Sequence, residues 1–219
     1  MLLAAFASRE LWEIIGLSLT VSLSATVAAA VLGLPLGVAL AIWRFPGRRS
    51  VIIVINALLG LPPAVVGLVL YLMLSRSGPL GALGLLFSPG AMVIAQTVLA
   101  LPIVTALSHR AAEDLWAGVG DALMDLGASR WRAVPVLIAM GRLSMLTAVL
   151  AGFGRTVSEV GAILVVGGNI AGYTRTMTTT IVLETTRGDL PLALGLGFVL
   201  IGLTMMISAA AFALAGRPS

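Results

Sequence analysis

Cysteine and lysine are both missing from this 219-residue chain, and it carries a single histidine. Without cysteine there can be no disulfide, thiolate metal site or cysteine nucleophile. Without lysine, a phosphate-binding loop of the Walker type is excluded, because that loop needs an ammonium on the β- and γ-phosphates; all 13 basic residues are arginine. Charge is scarce as well, at 10% of residues, against roughly a quarter in soluble domains. The lone histidine, His109, stands beside Arg110 at the end of an apolar run, where a histidine is ordinarily solvated. No HExxH, GxSxG or pair of carboxylates within an apolar run accompanies it. A membrane-embedded enzyme, the main competing class, would need such a convergent set.

What is abundant is apolar, with 59% of residues hydrophobic. A chain of this kind belongs in a bilayer, and its length allows about five or six helical spans of roughly 20 residues. The expected fold is an all-α integral membrane protein, one transmembrane domain over 1–219, with about five kinked spans and room for about six. The net charge of +4 would suggest nucleic acid in a soluble protein. Here the arginines sit at the ends of apolar runs, which orients a membrane chain and implies lipid, not nucleic acid, as the surroundings.

Five runs are long enough to cross, at about Ile14 to Trp43, Val51 to Leu74, Ala91 to Leu107, Leu137 to Arg155 and Pro191 to Ala215. Arg44, Arg48 and Arg49 follow the first run, and Arg110, Arg130, Arg132 and Arg142 surround the third and fourth. Both clusters are therefore cytoplasmic, the N-terminus is outside, and five crossings bring Arg217 inside. Leu2 to Phe6 and Arg9-Glu10 supply no basic stretch ahead of an apolar core, so a cleaved signal is not expected.

As one helix, Val134 to Val166 would be roughly 50 Å long, against a hydrocarbon core of about 30 Å. It must tilt, break or leave the membrane. Gly152, Gly154 and Gly161 offer breaks, and Ala162 to Val166 is too short to cross again, so a re-entrant or pathway-lining half-helix is expected. Pro35, Pro62-Pro63 and Pro102 should kink the first three runs, as in a transporter or channel interior or through packing irregularity alone. Gly33 and Gly37 form a GxxxG step, and Gly195, Gly197 and Gly202 mark a small-residue face; packing within the chain and dimerisation explain these equally well.

The one long polar interruption lies between Leu107 and Arg142 and holds four of the nine carboxylates: Glu113, Asp114, Asp121 and Asp125. Asp121 to Gly127 reads as a short helix closed by a Gly127 cap, with Val119, Leu123 and Leu126 on an apolar stripe. Ser129 can cap the next helix, whose Arg130, Trp131 and Arg132 are interface anchors. Such a cytoplasmic helix either docks on a soluble partner or lies in the headgroups.

Asp121-Ala122-Leu123, Gly127 six residues on, and Leu137 sixteen on resemble the EAA loop of ABC importer permeases, the segment that docks on the ATPase subunit. The loop, about 108–135, departs from that pattern at Asp121 (Glu is usual), at Leu123 (for a second Ala) and at Ala139-Met140 (for Leu-Pro). Arg155-Thr156-Val157-Ser158-Glu159-Val160-Gly161-Ala162, Val166-Gly167-Gly168-Asn169-Ile170 and Thr174-Arg175-Thr176-Met177-Thr178-Thr179 are similar to the tungstate-transport permeases, with the molybdate permeases related. The resemblance implies a homodimeric permease in a bacterial or archaeal cytoplasmic (inner) membrane, importing an oxyanion by alternating access. It implies an external oxyanion-binding protein and two ATPase subunits, which supply the ATP-Mg site; no cofactor is expected in this chain. ATPase coupling would fall on Asp121, Ala122, Leu123, Leu126, Gly127, Ala128 and Ser129.

Candidates for the translocation pathway or gate are Arg155, Ser158, Glu159, Asn169, Thr174, Arg175 and Thr178. Arg155 and Glu159 are one helical turn apart and can pair with each other, pinning a helix break, or can meet the cargo. Thr174 to Thr180 offer hydroxyl donors suited to a tetrahedral oxyanion, or to their own backbone. A passive channel also fits kinked, glycine-rich spans, but it gives no reason for a capped cytoplasmic helix.

Overall fold

The computed structural model describes residues 9–215. Leu2 to Phe6 and Arg217 lie outside them. Regular structure among the described residues is helical throughout: α1 (Arg9–Ile42), α2 (Arg48–Leu58), α3 (Pro63–Leu74), a 3-10 turn (Gly81–Leu83), α4 (Pro89–Asp125), α5 (Arg130–Met140), α6 (Arg142–Val157), α7 (Gly161–Gly167), α8 (Met177–Arg187) and α9 (Leu190–Ala215). Helices α1, α4 and α9 are long and apolar enough to cross a membrane. The bent pairs α2–α3 and α5–α6 bring the number of spans to as many as five. The chain is thus a multi-pass membrane protein.

The centre of the bundle is the crossing of α1 and α4, and small residues make it close. Ala25, Ala29, Gly33, Gly37 and Ala41 recur every four residues along the buried face of α1. A Cβ on Gly33 would come within 3.0 Å of Val104 Cβ, and one on Gly37 would strike the Ser108 hydroxyl and the Thr105 carbonyl. Ser108 Oγ donates across the contact to the Gly33 carbonyl at 3.3 Å. The GxxxG step therefore serves packing within the chain. Pro35 and Pro102 sit inside α1 and α4, and neither interrupts its helix.

Pro62 and Pro63 do more than kink a span. Pro62 is extended and Pro63 opens α3, because a proline cannot donate to the preceding turn; α2 and α3 meet at 103°. The run Val51 to Leu74 is therefore a corner. α3 packs on α7 through Gly67, where a Cβ would lie 2.9 Å from Ala162 Cα. α2 buries none of its residues.

The segment from Val134 to Val166 is broken, as its length demands, but not at Gly152 or Gly154, through which α6 runs intact. The first break is an 80° corner at Gly141 between α5 and α6. A Cβ there would meet Leu115 Cδ1 at 2.8 Å, so the glycine lets the corner pack against α4 without moving that side chain. The second falls at Ser158–Val160, after which α7 supplies the expected half-helix. Outermost, α9 packs on α8 through Ala193 and Leu196 and shows a broad apolar surface that includes Leu194, Phe198, Ile201 and Met205. A Cβ on Gly197 or Gly202 would meet nothing within 4 Å.

Polar side chains collect at the two ends of the bundle. At one end, Arg48 Nη2 lies 2.8 Å from Glu113 Oε1 and 3.1 Å from His109 Nε2, and Arg48 Nε donates to the Leu40 carbonyl at 2.6 Å. His109 is buried in this cluster and not solvated. Arg110 donates to Asn56 at 3.1 Å, tying the far end of α2 to α4. Trp43, just after α1, and Trp131 of α5 meet in a tilted ring contact with centroids 4.6 Å apart. The other end holds Arg9, Glu10, Arg175, Glu184 and Arg187, and Arg175 Nη1 lies 4.0 Å from Glu10 Oε1.

Candidate functional site

The polar interruption is not a loop carrying a separate short helix. Ser108 to Asp125 continue α4, whose 37 residues make a rod of roughly 55 Å, about 25 Å longer than the hydrocarbon core. Asp121, Ala122 and Leu123 belong to its last turns. The composition changes at Leu107, while the backbone hydrogen bonding of the helix continues through it.

Gly127 ends the rod as its residue type requires. Its φ is +79°. Its N–H donates to the Met124 carbonyl at 2.9 Å, and the Ala128 N–H donates to Leu123 at 3.0 Å. This paired pattern closes a helix with a left-handed residue. Ser129 then accepts from the Arg132 N–H at 3.4 Å and starts α5. Val119 and Leu123 pack inward with Leu137 and Ala133. Leu126 leaves that stripe and is 85% exposed, beside exposed Gly127 and Ser129 and half-buried Ala128. The tip is thus a capped turn with an exposed leucine at its point.

The second site lies where α6 ends. Arg155 Nη2 is 3.5 Å from Glu159 Oε2, and the two side chains are 30% and 2% exposed. Glu159 Oε1 also accepts the Ala162 N–H at 3.0 Å, so the carboxylate caps α7 while it holds the arginine. Thr178 Oγ1 donates to the Glu159 carbonyl at 2.9 Å, which brings the start of α8 to the same break. Ser158 is exposed and returns its hydroxyl to Gly154 at 2.8 Å.

Behind Arg155 stands a polar knot that the sequence reading did not single out. Gln96 Nε2 donates to the Thr156 carbonyl at 2.9 Å, and the Thr156 and Thr26 hydroxyls lie 3.0 Å apart. It ties α1, α4 and α6 together. The signal was there as isolated polar residues inside apolar runs, since a buried amide or hydroxyl needs a partner.

The outer candidates divide. Thr174 is 1% exposed; it donates to the Gly167 carbonyl at 2.6 Å and accepts the Ile170 N–H at 2.9 Å. Thr176 and Thr179 cap α8 reciprocally, and Thr180 bonds back to Thr176. These hydroxyls serve the backbone. Asn169 adopts φ +50° in the turn after α7. Arg175 lines a cavity of about 320 Å³ with Glu10, Thr180, Glu184 and Arg187, away from the Arg155 break.

No protein-family model matches the chain. Curated relatives do. A probable anion ABC transporter permease protein of Haloferax volcanii is 40% identical over 202 residues, covering 90% of this chain and 87% of its own. The chain belongs to the ABC transporter permeases of the tungstate and molybdate type. A tungstate uptake system permease protein of Peptoclostridium acidaminophilum is 37% identical across 94% of this chain and 90% of its own. A molybdenum transport system permease protein of Haemophilus influenzae is 30% identical, covering 73% and 75%. As a permease, the chain is the membrane component of an ABC transport system, and its long membrane helices agree with that role.

Proposed function

We propose that this permease imports tungstate, molybdate being the related second cargo, as a pair of identical copies in a bacterial or archaeal cytoplasmic membrane. An external oxyanion-binding protein delivers the anion. Cytoplasmic ATPase subunits grip the 121–130 turn, and their ATP-driven closure tilts α4 and re-packs the bundle from outward-open to inward-open. The turn must be gripped differently with ATP bound, because a partner shifts an equilibrium only by its differential affinity for the two states.

The observation that carries the cargo assignment is the 37% identity to a tungstate uptake permease along nine tenths of both chains. The ATPase contact is supported by the exposed, capped tip, where Leu126 stands clear of the apolar stripe. Competitive uptake of tungstate, molybdate and sulfate, in cells carrying the binding protein and ATPase encoded with this permease, tests the reading. Tungstate should compete best. Uptake that continues after deletion of the ATPase would identify a passive channel instead.

A further inference from the structure

Ser144, Thr147, Ala151, Gly154, Arg155 and Ser158 fall at helical spacing along one face of α6 and its cap. Ser144, Thr147, Ala151 and Ser158 are exposed, while Gly154 and Arg155 are partly so. The opposite face, with Met145, Ala148, Gly152, Phe153 and Thr156, is buried. Other exposed faces are more apolar: α1 shows Leu23, Val27 and Val31 beside Thr20 and Ser24, and α9 shows Leu194, Phe198 and Ile201. Among the described residues, this face of α6 thus carries hydroxyls, small side chains and a guanidinium, with exposed Leu143 at its Arg142 end.

The depth of that face decides what it meets. Thr156, next to Arg155, touches Thr26, which stands halfway along the 34-residue α1. Arg155 is therefore well inside the apolar layer. A charged side chain there costs about 2.5–3.5 kcal/mol against hydrocarbon, so it faces water or protein. Among the described residues its one ionic partner is Glu159, at 3.5 Å, and 30% of its side chain is open on the stripe.

We propose that this face of α6 is the wet wall along which the oxyanion crosses. Arg155 is its anion-attracting residue, and Glu159 is a positioning residue that holds the guanidinium against the wall. The two charges are unequally presented. Glu159 is buried, with one oxygen taken by the Ala162 amide, so a passing anion meets the cation before the carboxylate. The pairing weakens the attraction without cancelling it, which suits a pathway that must release what it draws in. The small Ala151 leaves room between Thr147 and Arg155. The identity of the cargo rests on the importer reading above; the wetness of the wall does not.

The cysteine-free chain makes the test direct. Single substitutions Ser144→Cys, Thr147→Cys, Ala151→Cys and Ser158→Cys, with Phe198→Cys as a control on the apolar surface, are made in the complete transporter in native membranes. Each is treated with anionic and cationic methanethiosulfonates. The four wall positions should react at least about tenfold faster than Phe198→Cys, since these reagents need the ionised thiol and a water path. At Ser158→Cys, adding Arg155→Gln should lower the anionic-to-cationic rate ratio by about tenfold, and adding Glu159→Gln should raise it. The Gln carbonyl can still cap Ala162, so the second variant keeps the break intact. Four unreactive positions would overturn the wall, and a ratio indifferent to Arg155 would overturn its role. A reactive wall in a complex that takes up no oxyanion would sink the importer reading and leave the wall standing.

Discussion

Arg48 Nη2 reaches Glu113 Oε1 at 2.8 Å, and this contact fastens α2, a helix with no buried residue of its own, to the C-terminal half of α4. The same guanidinium serves His109 and the Leu40 carbonyl. Removing it should free the Pro46–Gly47 corner before it unfolds the bundle. Arg48→Ala is expected to cost about 1–2 kcal/mol, because the pair is only partly shielded from solvent. Limited proteolysis should then cut near Gly47 faster, with little change in the thermal midpoint of the whole protein. Unchanged cleavage would show that the corner is held by other contacts.

Gly127 offers a clean separation of fold from partner. Its φ is +79° and a Cβ there would meet nothing within 4 Å, so a substitution strains only the left-handed turn. Gly127→Asn should be nearly neutral for stability, and Gly127→Val should cost about 1–2 kcal/mol. Gly127→Asp adds a charge at the tip and should lower co-purification of the ATPase while the detergent-solubilised permease keeps its thermal midpoint. Full assembly and uptake in Gly127→Asp would count against the 121–130 contact.

Gly37→Ala should be among the most damaging single-methyl changes, because its Cβ would press on the Ser108 hydroxyl and the Thr105 carbonyl. Overpacking of this kind costs about 1–3 kcal/mol. Gly197→Ala, on α9, meets open space and should leave the thermal midpoint unmoved or slightly raised. Comparing the two midpoints in detergent checks the contrast.

Thr174→Val should destabilise the 167–174 turn by about 1–3 kcal/mol, since it leaves the carbonyl of buried Gly167 without its donor and the part-buried Ile170 N–H without its acceptor. Uptake per folded transporter should stay near that of the unsubstituted protein. A selective loss of uptake at normal stability would show that this hydroxyl touches cargo.

Much of this organisation was legible in the sequence, for reasons that lie in short-range chemistry. Apolar runs marked the spans. Gly127 and Ser129 announced a helix end and a helix start, because a left-handed residue and a hydroxyl cap are local requirements. The spacing of Arg155 and Glu159 allowed their pairing. The continuity of α4 was not legible in the same way: the fall in hydropathy at Leu107 records a change of solvent, and nothing from Ser108 to Gly120 forbids a helix. The corner at Gly141 depends on Leu115, 26 positions earlier in the chain, and no local pattern distinguishes Gly141 from Gly152. The hydroxyl face of α6 could have been found from the spacing of Ser144, Thr147, Ala151 and Ser158, but only once Arg155 was known to be partly uncovered.

The unbroken course of α4 from Pro89 to Asp125 has a mechanical outcome. Moving as one rod, the helix would carry each tip through roughly 3 Å on a swing of about 6° around its midpoint, given its length of about 55 Å. Under the proposed importer mechanism, a small stroke delivered at Leu126 would be felt in the opposite sense at Ser88, at the other end of the helix, with Pro102 the interior point that lacks a backbone donor.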